Sequence, residues 1–522
     1  MKRLFNLFSR ENSVRGASII LMVTLALSNL LGLIRDRFLT KNIATSDLDI
    51  YYASFKIPDL IFNLLILGAI TSAFIPIFSD FISKDQKKEA YKVTSTLINI
   101  AVLSMMASTL LVIIFMPYLM PLVVPKFEQV RLHEAIKYGR LIMLTPIFFS
   151  VSYIFGGILN SYKRFISYSL APIIYNCSII IGAAFFGSKY GLIAVVYSVV
   201  IGSVLHMLIQ LPGVVRLGFS YQLALDWKNK AIKRIIRLMI PRTIGMGVNQ
   251  LMMVIYTAIA SALTAGSIAA FELSNNIMTM PVVVFGTSFA TAVFPTLTHN
   301  ISKGDKKGFA FYLNRSIRSI AFLLIPSSII FILLRAQIVR LILGSGKFGW
   351  DDTKKTALTL GLFSISLIAQ GLIPILARAF YALKNTRTPM YISIVTAVIS
   401  IVVAYPLARS LGVAGLALAF SIGSFINAGI LLIYLRRIYP DIWDQKVLIS
   451  YVKITIFSLV MGVFVWLTMH IVAGLVDMDR FIGVFEQTII SLIVGAVSLF
   501  GLSYIFNIEE MKWAVTRKIN KN

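Results

Sequence analysis

The sequence predicts an all-α polytopic membrane protein of about fourteen transmembrane helices, arranged as two parallel six-helix lobes and a C-terminal helical hairpin. Three observations carry that reading: the composition, the placement of basic loops and an internal repeat. Of 522 residues, 58% are hydrophobic and 14% charged, with mean hydropathy +0.84. Soluble chains average roughly 45–50% apolar and 25% charged, so a water-soluble fold is excluded. Apolar windows such as Ala17–Ile34, Ile98–Leu122, Ala357–Ala377, Tyr391–Ala408 and Ile454–Leu475 lie near or above the roughly 20 residues that cross about 30 Å of hydrocarbon.

The net charge of +27 is a topology signal, because the lysines and arginines fall mainly between alternate spans. Lys84, Lys87, Lys88 and Lys92 follow the second span, Lys163 and Arg164 the fourth, and Lys228, Lys230, Lys233, Arg234 and Arg237 the sixth. Lys303, Lys306 and Lys307 follow the eighth, Lys384 and Arg387 the tenth, and Arg436, Arg437 and Lys446 the twelfth. The positive-inside rule makes these loops cytoplasmic, which puts both termini inside and the number of spans even. The intervening loops are mixed in sign, as in Lys126, Glu128, Arg131 and Glu134. Nucleic acid is therefore not an expected partner, and contact with anionic membrane lipid is secondary. The N-terminal Lys2, Arg3, Arg10 and Arg15 precede an apolar run without a small-residue cleavage site, so that run reads as a retained first helix rather than a signal peptide. Cys177 is the only cysteine, which excludes an intrachain disulfide and a multi-cysteine metal site.

The repeat sets the organisation. Ile82-Ser83-Lys84 with Lys87-Lys88 recurs 219 residues later as Ile301-Ser302-Lys303 with Lys306-Lys307, and Pro76 and Pro295 keep the same offset. Gly191, Gly202 and Ser203 recur 221 residues later as Gly412, Gly423 and Ser424, and the Tyr162–Pro172 stretch matches Tyr381–Pro389. The expected divisions are a cytoplasmic segment 1–13, an N-lobe 14–217, a linker 218–232, a C-lobe 233–437, a hairpin 438–508 and a basic tail 509–522. Each repeated feature falls in a cytoplasmic loop or at the same helix end, so the lobes are parallel and related by an axis along the membrane normal. Carriers of this design bind substrate between the repeats and rock to expose it alternately. Pro58, Pro241, Pro281, Pro374 and Pro406 lie within or beside apolar helices, and Pro58 and Pro281 are the expected hinges.

Enzyme signatures are nearly absent. His133, His206, His299 and His470 are far apart in sequence, and no phosphate-binding GxxxxGK[ST] loop or HExxH helix occurs. No cofactor and no metal are expected. The chemistry-bearing residues gather instead in the first two helices, which read SNLLGLIRD over Ser28–Asp36 and DIYYASFKIPD over Asp49–Asp59. A charge near the bilayer midplane costs about 2.5–3.5 kcal/mol on insertion scales, so Arg35, Asp36, Asp49 and Lys56 mark a wet pathway. Asp49, Lys56 and Asn63 follow a seven-residue step on one helical face, with Asn29, Arg35 and Asp36 as the facing side. Lys56 with Asp49 or Asp59 would form a neutral pair, leaving Arg35 free for an anion; the bland alternative is that Arg35 snorkels from the helix end. In the second lobe, Arg242 opens the seventh helix, Asn275 and Asn276 with Glu272 lie in the eighth, and Arg378 lies near the end of the tenth; these read equally as helix-packing or snorkelling residues. No Asp or Glu occurs from Ile240 to Leu263 or from Pro389 to Arg437, so a carboxylate cation site has no ligands there.

At these residues the chain resembles the MurJ family of lipid II flippases, within the MOP (MATE-like) exporter superfamily. The matching stretches are SNLLGLIRD (Ser28–Asp36), DIYYASFKIP (Asp49–Pro58), GAITSAFIP (Gly68–Pro76), GKF (Gly346–Phe348) and ARAFYALKNTRTP (Ala377–Pro389), spread over both lobes. The resemblance implies a V-shaped pair of lobes around a cationic cavity, with the last two helices forming a groove for a polyprenyl tail. It implies a monomeric transporter of the bacterial cytoplasmic membrane that moves undecaprenyl-diphosphate-linked muropeptide from the inner to the outer leaflet, alongside other cell-wall synthesis proteins. Arg35, Asp36, Asp49 and Lys56 match the family pattern. The chain departs from it at Asn29, Phe62 and Asn276, where family members place further cavity arginines, and at Leu67, where a glutamate is usual. Arg242 and Arg378 are the candidates to supply the missing positive charge.

Three other functions compete with this one. A drug or organic-cation exporter of the same superfamily, or a flippase for another lipid-linked oligosaccharide, shares the architecture, although a cation cavity should be acidic and twelve spans would suffice for drug export. A non-transporting scaffold of envelope assembly has no need of intramembrane charge.

Overall fold

The computed structural model describes residues 14–67 and 74–511; the side chains of residues 14–23, 25, 67, 240–242 and 244–246 lie outside the description. The expected cytoplasmic segment 1–13, most of the Gly68–Pro76 stretch and most of the basic tail therefore lie outside the described residues. Those described are overwhelmingly helical and contain no strand. They fall into two compact units that divide between Ala269 and Ala270.

The first unit runs through α1 (Val14–Asn42) and α2 (Thr45–Phe62), which passes into a π-helical turn at Asn63–Leu67. Then come α3 (Ile75–Ser83), α4 (Lys87–Val123), α5 (Gln129–Ile142), α6 (Thr145–Ser161) and α7 (Phe165–Ile181), which continues into a π-helical turn at Gly182–Phe186. A short α8 (Gly187–Tyr190), α9 (Leu192–Leu208), α10 (Leu211–Arg216) and α11 (Lys230–Ala260) complete it. Helix α12 (Ser267–Pro281) leads into the second unit through a π-helical turn at Val282–Thr287. There follow α13 (Ser288–Ser302), α14 (Lys306–Leu333), α15 (Arg335–Leu343), α16 (Trp350–Ser364), α17 (Leu367–Ala382), α18 (Arg387–Leu411), α19 (Val413–Ile438) and the hairpin α20 (Gln445–Ala473) and α21 (Phe481–Ile505).

Among the described residues ten helical stretches are long and apolar enough to cross a membrane, or eleven when α16 and α17, bent by 46°, count as one span. Helices α1, α2 and α11 fall outside that count. Four charges, Asp47, Asp49, Lys56 and Asp59, interrupt α2, and only Gly247–Ala260 of α11 registers as a short apolar stretch. The expected fourteen is reached when these three helices also span.

The repeat seen in the sequence recurs in the backbone. Left-handed residues close equivalent loops: Asp85 (φ 58°) and Gly304 (φ 74°), Lys163 (φ 57°) and Lys384 (φ 60°), Gly191 (φ 67°) and Gly412 (φ 62°). Each pair keeps the 219- or 221-residue offset of the sequence match. The π-helical turns at Asn63–Leu67 and Val282–Thr287 also begin 219 residues apart, and each follows a helical proline, Pro58 and Pro281 respectively. Proline removes an N–H from the helical ladder, and π-helical turns collect where that ladder is rearranged. Packing divides the chain later than the repeat does. Helix α11 lies against α2, α4 and the Asn63–Leu67 turn. Its Ile232 and Ile235 are buried in the same apolar core as Phe62, Phe74, Phe78 and Ile158.

In the second unit, one core joins α13, α14, α17 and α19 through residues such as Leu313, Ile317, Ile375, Phe380 and Leu431. Another seats the hairpin on α14 through Phe322, Ile325, Phe457, Met461 and Val465. Glycine permits a close approach at Gly286, in the second π-helical turn, where a Cβ would lie 2.7 Å from the Cα of Gly371 on α17. Side chains such as Leu459, Val463, Ile471, Ile493 and Val497 stand exposed on the hairpin, an apolar surface that hydrocarbon covers and water would not.

Candidate functional site

Arg35 lies two turns before the end of α1, after a stretch from Gly16 to Ile34 that carries no charge. Its Nε and Nη2 donate to Asp36 Oδ1 at 3.0 and 2.8 Å, and its Nη1 donates to Asn176 Oδ1 on α7 at 3.3 Å. Asn176 is itself held, its Nδ2 donating to the carbonyls of Pro172 at 3.1 Å and Ser28 at 3.4 Å. The Asp36 side chain is 1% exposed and that of Arg35 20%. A guanidinium carries five N–H groups. Three are engaged among the described residues, so the fork is oriented by protein, with two N–H groups outside these bonds. Tyr51 and Tyr52 of α2 lie within electrostatic reach of Arg35, and Tyr175 of α7 within reach of Arg35, Tyr51 and Asp59. These are aromatic groups with hydroxyl ends around a single cation.

The expectation that Arg35 stands free is corrected by this geometry. Neighbours in sequence do not face each other on a helix, yet the long arginine side chain folds back onto Asp36 and reaches Asn176 across the α1–α7 contact.

Asp49 is placed differently from the expected pairing with Lys56. Its Oδ2 accepts from Arg131 Nη2 of α5 at 3.1 Å and from the backbone N–H of Gly266 at 2.7 Å, while Oδ1 accepts from the N–H of Ala269 at 2.8 Å. Arg131 also donates to the carbonyl of Ser46 at 2.9 Å and stacks over Phe127. Asp49 is thus a buried anchor within the first unit, both oxygens taken up. Lys56 is buried on the same helix and engaged in polar interactions, and Asp59, exposed, is engaged as well. Asn63, half-buried at the head of the π-helical turn, donates to the Asp59 carbonyl at 2.7 Å. Asn29 is half-buried and also engaged.

In the second unit Asn276 is half-buried on α12 and has polar interactions, and Arg378 Nη1 donates to the carbonyl of Thr287 at 3.2 Å, tying α17 to the π-helical turn after Pro281. The side chains of Arg242 and Pro241 lie outside the described residues. The structure therefore gathers Arg35 and Asp36 into one cluster, gives Asp49 a separate set of partners, and puts Asn276 and Arg378 in the other unit.

Several participants are not singled out by sequence reasoning. Asn176 is a lone amide inside the apolar run Pro172–Ile181, a signal of the same kind as Asn276. Arg131 reads as one charge in a loop of mixed sign. Ser152, His206 and Gln210 form a buried network that metal-ligand spacing does not reveal. There Ser152 Oγ lies 2.7 Å from His206 Nδ1 and accepts from Gln210 Nε2 at 2.5 Å, with His206 beside the rings of Phe149 and Tyr153. Among the described residues no group of three or more His, Cys, Asp or Glu is arranged to hold a metal ion.

Comparison with known proteins bears on both fold and family. The family described as "Lipid II flippase MurJ" matches residues 43–486. A "Probable lipid II flippase MurJ" from Buchnera aphidicola subsp. Acyrthosiphon pisum is 28% identical over 487 residues, covering 92% of this chain and 94% of that protein. The "Lipid II flippase MurJ" of Burkholderia cenocepacia is 27% identical over 446 residues, covering 83% and 84%. Among solved structures, a lipid II flippase MurJ in an inward closed conformation superposes with a TM-score of 0.80 at 25% identity, over 94% of this chain and 99% of that one. A multidrug resistance MATE family transporter of the MOP superfamily gives 0.69 at 14% identity over 81% and 98%, a likeness of fold. With the family match running through most of both compact units, the chain belongs to the MurJ lipid II flippase family.

Proposed function

We propose that this protein is a lipid II flippase: a multi-pass membrane transporter, not an enzyme, that carries the lipid-linked peptidoglycan precursor across the bilayer by alternating access. Family membership supports the substrate class, and the observation that carries the mechanism is the Arg35–Asp36–Asn176 cluster. A diphosphate needs a cation that is oriented but not saturated. Arg35, held by Asp36 and Asn176 with two N–H groups outside those bonds, meets that requirement, because bidentate N–H donors recognise phosphate oxygens better than a point charge does. Asp36 keeps the guanidinium oriented and lowers the cost of holding a cation in hydrocarbon when no substrate is present.

In this reading the two lobes, 14–217 and 233–437, rock about turns marked by Pro58 and Pro281, and the hairpin 438–508 accommodates the polyprenyl tail. The protein sits in the bacterial cytoplasmic membrane with both termini inside, as the basic loops support, and carries its substrate from the inner to the outer leaflet. Lys56, Asn29, Asn63, Asn276, Arg242 and Arg378 complete the polar lining, and Asp49 braces it.

The test is rescue of a conditional flippase-depleted bacterium, with outer-leaflet lipid II measured in the same cells. Wild type restores growth and outer-leaflet lipid II; Arg35→Ala restores neither while accumulating to the same level in the membrane. Rescue by Arg35→Ala at wild-type efficiency overturns the cavity assignment, and failure of the wild type in a host where it is stably inserted overturns the flippase reading.

A further inference from the structure

Where the hairpin meets α14, residues Arg318, Lys446, Lys453, Glu509 and Glu510 line a polar cavity of about 290 Å³. None of them belongs to the Arg35 cluster. Glu510, with its side chain 2% exposed, is bonded by Arg318 Nε and by the Ser450 hydroxyl, so its charge is spent inside the protein. Glu509 shares Arg318, whose Nη2 lies 2.9 Å from its Oε2, but its side chain remains 62% exposed. Arg318 is thus neutralised from both sides.

The lysines are different. Lys446 and Lys453 are exposed, and among the described residues neither has an ion pair or hydrogen bond. They are seven residues apart on α20, hence on one face and about 10 Å apart along the axis. Ile449 lies between them in sequence, and with Ile508 it is the apolar part of the lining. The lining therefore combines two lysines without an ion pair among the described residues, a carboxylate that stays 62% exposed, and two apolar side chains. Both lysines lie near the start of α20, where the chain passes from the basic loop into the apolar run, at the level of lipid headgroups.

We propose that this cavity binds the headgroup of a zwitterionic phospholipid of the phosphoethanolamine class, the phosphate between Lys446 and Lys453 and the primary ammonium on Glu509. A purely anionic headgroup would satisfy the lysines and leave Glu509 without its cation. A trimethylammonium headgroup carries the charge but has no N–H to donate. Because the site uses none of the transport residues, it stands or falls apart from the flippase reading.

The experiment is native mass spectrometry of the purified full-length protein, with phosphatidylethanolamine, phosphatidylglycerol and phosphatidylcholine of identical acyl chains added in equal amounts. The wild type should retain phosphatidylethanolamine over each of the others on the order of tenfold, the size of one charge-assisted hydrogen bond. Lys446→Ala with Lys453→Ala should abolish that preference and lower total lipid retained. Glu509→Gln should keep the bound lipid but bring phosphatidylglycerol level with phosphatidylethanolamine. All three positions are exposed, so the variants keep the fold, which an unchanged melting temperature verifies. Equal or stronger retention of phosphatidylglycerol by the wild type, or undiminished phosphatidylethanolamine on the double lysine variant, overturns the proposal.

Discussion

Asn176 accepts a hydrogen bond from Arg35 at 3.3 Å across 141 residues of sequence, making an amide on α7 the only described hydrogen-bond partner of that guanidinium outside α1. The bond sets where the rest of the fork points. Asn176→Ala should therefore lower lipid II delivery to the outer leaflet roughly tenfold and cost about 2–3 kcal/mol of stability, because the bond from Arg35 and the amide's bonds to the Pro172 and Ser28 carbonyls are lost together. Asn176→Asp keeps an acceptor for Arg35 but loses the donor to the Pro172 and Ser28 carbonyls, so it too should lower the melting temperature, while a second carboxylate on Arg35 should cut transport at least as far. Wild-type transport by both variants would sink the orienting role.

Asp49 and Arg131 form a pair whose burial is unequal, the Asp49 side chain 3% exposed and the Arg131 side chain 27%. Asp49→Ala removes the acceptor of two backbone N–H groups as well as the ion pair, and should cost about 3 kcal/mol, at the low end for breaking a buried pair. Arg131→Ala leaves the two backbone bonds to Asp49 in place, and the expected loss is about 1 kcal/mol, discounted for exposure. Thermal unfolding of the detergent-solubilised protein with both single variants and the double variant measures the coupling. Equal losses from Asp49→Ala and Arg131→Ala would show that the backbone bonds contribute nothing.

The clasp of Glu510 on Arg318 and Ser450 fixes the end of the hairpin to α14 and α20. Glu510→Gln keeps the shape but removes the charge from beside a cation, and about 2–3 kcal/mol should be lost. Limited proteolysis should then cut near the Asn507 turn at protease concentrations that leave the wild type intact. Unaltered cleavage and melting temperature in Glu510→Gln would mean that Glu509 alone suffices to hold Arg318.

How far the chain can be read before folding follows from the range of the interactions. The repeat is visible because it is carried by local features: left-handed loop closures at Asp85 and Gly304 or Gly191 and Gly412, and the lysines beside them. Arg35 and Asp36 are visible because charge in an apolar helix is costly wherever its partner lies. The partners of Arg35 and Asp49 are not, since Asn176 and Arg131 come from helices far along the chain and only packing selects them. Helical periodicity places Asp49 and Lys56 on one face, but says nothing about the backbone N–H groups of Gly266 and Ala269 that claim the carboxylate. The division at Ala269 is equally hidden, because α11 joins the first unit through core contacts rather than through any sequence boundary.

Pro58 and Pro281, the proposed hinges, offer a test of motion. Pro58 removes the N–H that would bond the Ser54 carbonyl, and Pro281 does the same for Ile277; each is followed by a π-helical turn at the same repeat position. Restoring the N–H with Pro58→Ala or Pro281→Ala should favour a continuous helix, so the melting temperature should hold or rise while the rate of lipid II delivery falls several-fold. The double variant should be slower than either single one, because each turn serves its own repeat. Slower transport with lower stability would point to ordinary packing damage. A hinge predicts the opposite pairing, slower transport in a protein at least as stable, since the helix gains a hydrogen bond worth about 1 kcal/mol and loses the weak point at which it bends.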